Sequence, residues 1–267
     1  MTSHQPFAAA LRRHTVCLVT VCAAAGAALL AAAAAAENEE THALKLEIRE
    51  GFAEAVGGQQ GIATDGTHVF VQSTHRLVKH DLDGKVVANG GALKWHHGGI
   101  TYHDGRIYAA VSECSAKGTR LHWVYVYDAE TLEKIAEHDV GRHFSVCAGG
   151  IAYYDGHFYV AESYYDNDHN DYVVKFDRDF KFVASYRINF KCPYGIQGLE
   201  YLPDRVQFMV NSHGTAFYVI DTNFLISTLE PASAPFKLQD VAYVKPGVVV
   251  LNDRDGKRVV FAGVVKP

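Results

Sequence analysis

Several things are missing from this chain, and each absence narrows what it can be. Lys and Arg number 25 against 30 Asp and Glu and are scattered. There is no basic patch, so nucleic acid is excluded as a partner. Helical periodicity is absent beyond the N-terminal segment and Leu-rich stretches are few, which excludes a helical bundle. No Gly-x-Ser-x-Gly surrounds Ser73, Ser112, Ser163 or Ser212, so this row of serines is no nucleophile elbow. Past Ala36 no apolar run reaches spanning length, so no membrane association is expected of the mature protein.

The N-terminus carries the one long apolar run. Arg12 and Arg13 precede an uncharged, Ala-rich stretch from Thr15 to Ala36, and charge returns at Glu37. A basic start, an apolar stretch and small residues before a polar boundary describe a secretory signal over 1–36. A retained anchor is the alternative. No Cys follows the run, which argues against a lipid anchor. Residues 37–267 are expected to be secreted or periplasmic. Cys17 and Cys22 leave with the signal, and Cys114, Cys147 and Cys192 remain. In an oxidising compartment Cys114–Cys147 is the first expected disulfide and Cys147–Cys192 the second.

Aromatics make up 12% of the chain and Gly is frequent, which favours an all-β fold. One phrase recurs five times: Gln60-Gly61-Ile62, Gly98-Gly99-Ile100, Gly149-Gly150-Ile151, Gln197-Gly198-Leu199 and Gln239-Asp240-Val241. Tyr102, Tyr153, Tyr201 and Tyr243 each follow the aliphatic by two. A turn signal comes next in every copy, as in Asp104-Gly105, Asp155-Gly156 or Pro246-Gly247. A β-rich run such as Val69-Phe70-Val71 follows. A third strand then ends on Asp81, Asp128, Asp177 or Asp221.

Four short strands per unit, five times over, predict a five-bladed β-propeller. The blades are placed near 61–90, 99–140, 150–188, 198–230 and 240–263. The last has only three strands of its own. The alternating segment 44–49 is expected to complete it and close the ring. A β-sandwich is the runner-up, but it does not explain five copies of one phrase.

The phrase Val124-Tyr125-Val126-Tyr127-Asp128-Ala129-Glu130-Thr131-Leu132-Glu133 resembles the third-to-fourth-strand hairpin of YVTN-type and gluconolactonase-like propellers. The Gln-Gly-aliphatic phrase at Gln60 and Gln197 is similar to the inner strands of plant-type glutaminyl cyclotransferases, which also have five blades. The gluconolactonase resemblance implies a divalent cation held by Glu, Asn and Asp near the channel. At the inner-strand position where that family tends to place Asn, this chain has Gln197, so no full ligand set carries over.

Antiparallel pairing brings first-strand starts and second-strand ends to one face. That rim is predicted to gather Gln60, His96-His97, Gln197, Gln239 and Asp240 with Gln72, Glu162, Tyr164, Asn211, His213, Asn252 and Arg254. Oxygens of Glu162, Asn211, Asn252 and Asp240 suit Ca²⁺, and imidazoles admit Mn²⁺ or Zn²⁺. Glu162, the one acid where other blades have Gln72, Val111, Asn211 and Asn252, is the first catalytic candidate. His97 and His213 are the expected proton carriers. Strand alternation lets only one of His96 and His97 face the channel. Gln60, Gln72, Gln197, Gln239, Tyr164 and Arg254 are expected to bind substrate. Asp166-Asn167-Asp168-His169-Asn170-Asp171 lacks the Gly and distal Glu of an EF-hand and is taken as an acidic loop.

These residues predict a metal-assisted hydrolase, lactonase or lyase acting on a small polar or carbohydrate-like molecule at the channel mouth. A non-enzymatic binding propeller, with Trp95, Tyr153 and Tyr164 as contact surface, is one alternative. A glutaminyl cyclotransferase-like enzyme is the other.

Overall fold

The computed structural model describes residues 44–114, 121–164, 171–188, 190–224 and 232–265. The expected signal segment, and 166–170 of the acidic loop, lie outside them.

Runs of Val, Ile, Tyr and Phe make these segments strands, and each turn is set by its own chemistry. Blade I holds β1 (Gln59–Thr64), β2 (His68–Ser73), β3 (Leu77–Asp81) and β4 (Val86–Asn89). Blade II holds β5 (His96–His103), β6 (Arg106–Ser112), β7 (His122–Asp128) and β8 (Lys134–Asp139). Blade III holds β9 (Cys147–Tyr154), β10 (His157–Ser163), β11 (Tyr172–Phe176) and β12 (Phe182–Arg187). Blade IV holds β13 (Gly198–Leu202), β14 (Gln207–Asn211), β15 (Ala216–Asp221) and β16 (Ala232–Ser233). Blade V holds β17 (Leu238–Lys245), β18 (Val248–Asp253) and β19 (Arg258–Val265). Its outer strand is the N-terminal segment Lys45–Ala53, which pairs antiparallel with β19 from Lys45↔Val265 to Ala53↔Arg258. The protein is therefore an all-β, five-bladed propeller whose ring is closed by its first strand. No α-helix occurs among the described residues.

The first hairpins of blades II and III turn on Asp104-Gly105 and Asp155-Gly156, all four at positive φ (49°, 72°, 47° and 75°). That is the geometry a two-residue hairpin needs. The recurring Asp at the end of each third strand folds the next turn onto itself. Asp128 Oδ1 accepts from the Glu130 and Thr131 amides at 2.9 and 2.8 Å. Asp177 and Asp81 do the same in their own blades.

The Gly of the repeated phrase is dictated by the ring itself. A Cβ on Gly98 would sit 2.9 Å from the Gly149 carbonyl, and one on Gly149 2.3 Å from the Ile196 carbonyl. Innermost strands of neighbouring blades approach too closely for any side chain there. Inter-blade cores pack outside this ring. Phe208, Tyr159, Phe224 and Leu199 fill the gap between blades III and IV. Tyr108, Phe158, Phe176 and Phe180 fill the gap between II and III.

Candidate functional site

The inner strands place residue tips from all five blades around one cavity of about 690 Å³. Blade I contributes Gln60, blade II His96, blade III Tyr164, blade IV Gln197 and His213, and blade V Arg254. Five of the predicted site residues therefore share this opening: Gln60, Tyr164, Gln197, His213 and Arg254. Below it, the buried Gln239 donates from Nε2 to Gln60 Oε1 at 3.1 Å and approaches Gln197 Oε1 at 3.5 Å. Gln197 Nε2 in turn donates to the Tyr194 carbonyl at 2.8 Å. Three amides from three blades thus form the floor.

The imidazoles differ from expectation in which one faces the cavity. His96 lines it, with Nδ1 3.3 Å from the Thr74 hydroxyl. His97 is fully buried and turns the other way, its Nε2 2.7 Å from the Tyr127 hydroxyl and its Nδ1 3.4 Å from the Trp95 carbonyl. Alternation along β5 separates the pair, and apolar packing beside Tyr125 and Tyr127 takes His97 into the blade. Burial pushes the His97 pKa down to about 4. Burial, then the neighbouring Arg254, pushes His213 down to about 4 as well. Arg254 Nη1 donates to His213 Nδ1 at 2.5 Å, a contact only the neutral ring accepts. His96 is lowered too, by burial and by His75. Both cavity imidazoles are uncharged near neutral pH.

Glu162 stands in the wall and is not a lining residue. Its Oε1 accepts from the Ser145 hydroxyl at 2.7 Å and from the Ser145 and Val146 amides, and its Oε2 from the Tyr164 hydroxyl at 3.0 Å. It braces the loop before β9 and positions Tyr164. Burial and the Glu162 charge raise the Tyr164 pKa. Gln72 is fully buried and donates to the Gly98 carbonyl at 3.2 Å, tying blade I to blade II.

Of the four expected cation ligands, Asn211 and Asp240 both crowd the place where a Cβ on Gly198 would stand. Glu162 is engaged as described. Asp240 accepts three backbone amides, those of Ile62 at 3.0 Å, Ile100 at 3.2 Å and Val241 at 2.9 Å. Asn211 is fully buried, with Nδ2 3.4 Å from the Ser212 carbonyl. Asn252 is fully buried, and its amide has no protein partner among the described residues. Nor do any three His, Cys, Asp or Glu side chains among those residues converge as a metal would require.

Sequence reasoning did not single out Glu200. Its Oε1 accepts the Tyr243 amide at 3.2 Å, and burial pushes its pKa up to about 8. Glu200 is half-buried, and its contact with Tyr243 spans the gap between blades IV and V. A signal existed: it is the one acid at an inner-strand position otherwise held by Ala63, Thr101, Ala152 and Ala242.

No protein-family model matches the sequence, and no curated protein does either. Solved structures do. The chain is similar to the glutaminyl cyclase of Myxococcus xanthus, at 15% identity and a TM-score of 0.63, over 85% of this chain and 100% of that one. It is also similar to the PQQ-bound aldose sugar dehydrogenase of Streptomyces coelicolor, at 11% identity and a TM-score of 0.52, over 84% and 99%. A nidogen/laminin complex matches at 14% identity and a TM-score of 0.53, over 77% of this chain and 76% of that chain. At such identities the likeness is one of fold.

Proposed function

We propose that this propeller is an extracytoplasmic enzyme that acts on a small, polar, sugar-derived substrate at the mouth of its channel. The observation that carries the reading is the single cavity to which all five blades contribute polar side chains. Gln60 and Gln197 offer amide groups for hydroxyls, and Tyr194, over 40% exposed at the rim, offers a ring face. Arg254 attracts a carboxylate or a developing oxyanion. His96, neutral and not bonded to a cation, takes a proton from a substrate hydroxyl or from water. Its Thr74 contact orients the ring. His213, already accepting from Arg254, holds that guanidinium in place. Glu162 acts through Tyr164, as a positioning residue.

The extracytoplasmic placement is supported by the disulfide Cys114–Cys147, a bond kept in oxidising compartments. Cys192 is a buried free thiol.

A panel of aldonolactones, uronic acids and uronosides tests the reading by thermal shift and by turnover. The expected result is a member of the panel that raises Tm and is converted. His96→Gln is expected to lower kcat by about a hundredfold, the usual effect of losing a proton carrier, with Tm unchanged. A panel with neither stabilisation nor turnover overturns the reading. Cyclisation of N-terminal glutaminyl peptides in the same assay would replace it with the cyclotransferase alternative.

A further inference from the structure

A second cavity, of about 520 Å³, opens beside the first and shares Gln60 with it. Its walls are Ala55–Gly58, before β1, and Ser73–Arg76, after β2. The two are joined again through Thr74, which lines the second while its hydroxyl meets His96 of the first. Blade I thus carries a continuous groove away from the channel mouth.

The groove's open side is made of backbone. Gly57 and Gly58 have φ of 74° and 119°, and nothing lies within 4 Å of where a Cβ would stand on either. Glu54 does not line the groove, and its carboxylate is taken up by the amides of Val56, Gly57 and Gly58. The cation is not neutralised. Arg76 is exposed and donates only to the Ala55 carbonyl, at 3.4 Å. At the other end Arg254 is exposed and its guanidinium donates only to His213. Lys237, in contrast, is matched by Asp255 at 2.9 Å. Two guanidiniums without carboxylate partners therefore flank a groove whose middle is amide and imidazole.

We propose that the groove binds an acidic oligosaccharide, a chain of uronic acid units whose separate carboxylates meet Arg254 in the first cavity and Arg76 in the second. Hydroxyls between them pair with Gln60 and Gln197, and one ring lies on Tyr194. Amide groups suit hydroxyl-rich spacers, and the exposed Tyr face suits a sugar ring. The inference rests on the channel-mouth cavity being the substrate site and extends it by naming an elongated, anionic class.

Calorimetric titration of the full chain with galacturonic acid, its linear tetramer and a neutral glucose tetramer is the test. The acidic tetramer is expected to bind roughly tenfold more tightly than the monomer, with an advantage that shrinks at high salt. Arg76→Ala should remove that advantage and leave monomer affinity and Tm unchanged. Arg76→Gln, which keeps a donor for the Ala55 carbonyl, should behave the same, separating charge from loop structure. Arg254→Ala should weaken both acidic ligands. Equal binding of the neutral tetramer, an advantage that survives both Arg76 variants, no binding of the acidic tetramer, or preference for a polyglutamate peptide overturns the proposal. If the monomer binds through Arg254 while Arg76 is silent, only the extension falls and the site reading stands.

Discussion

The Asp240 carboxylate on β17 reaches across the axis and accepts the backbone N–H of Ile100, two blades away, at 3.2 Å. The same oxygen accepts from Ile62 at 3.0 Å, and the other from Val241 at 2.9 Å. Register breaks on β1, β5 and β17 precede these residues, and the freed N–H groups point inward to one acceptor. Asp240 thus ties blades V, I and II at their innermost strands. Asp240→Ala leaves three buried donors unmatched and is expected to destabilise the fold by about 3 kcal/mol. Urea unfolding measures this. A loss below about 1 kcal/mol would mean the carboxylate is no tie.

His97 makes stability depend on acidity. Unfolded, it binds a proton below its ordinary pKa of 6.5; folded, it does so only below about 4. Stability is therefore complete above 6.5 and is lost as pH falls through that window, by on the order of 3 kcal/mol for this group. His97→Gln should unfold more easily at neutral pH and show a shallower decline toward pH 4. Urea midpoints across the range check it, and parallel curves for the two proteins would count against it.

Glu200 acts with the opposite sign. Its folded pKa is raised to about 8 from 4.5, so its contribution is whole below 4.5 and fades as pH climbs toward 8. Because the residue is only half-buried, the loss is on the order of 2 kcal/mol. Glu200→Gln keeps the oxygen that accepts from Tyr243 and cannot ionise. The variant should match the parent in weak acid and exceed its Tm in weak base. An advantage that does not grow with pH would refute the assignment.

Cys114 and Cys147, 33 residues apart, join the segment after β6 in blade II to the start of β9 in blade III. Closing a loop of that length is worth about 3–4 kcal/mol in the chain-entropy account. Reduction, or the Cys114→Ala, Cys147→Ala double variant, should lower Tm by several degrees. Since Cys147 also lines the cavity, ligand affinity should weaken with it. Unchanged melting under reductant would show that the bond contributes nothing.

Sequence alone determined the architecture, because the constraints behind it are local and repeated. The Gly of each phrase answers the close approach of inner strands, the Asp-Gly pairs answer hairpin geometry, and the third-strand Asp answers turn amides. The spare strand was legible by counting as 44–49, and the structure extends it to Ala53. Sequence also placed Gln60, Tyr164, Gln197, His213 and Arg254 at one opening, since antiparallel pairing fixes which strand ends meet. It did not settle which way each side chain turns. His97 turned onto Tyr127 and Glu162 bound to the Ser145 loop depend on side-chain packing that strand order does not fix, and Asp240 taken up by three amides depends on contacts made between blades. Ile62 and Asp240 lie 178 residues apart in the chain, and only the closed ring brings them together.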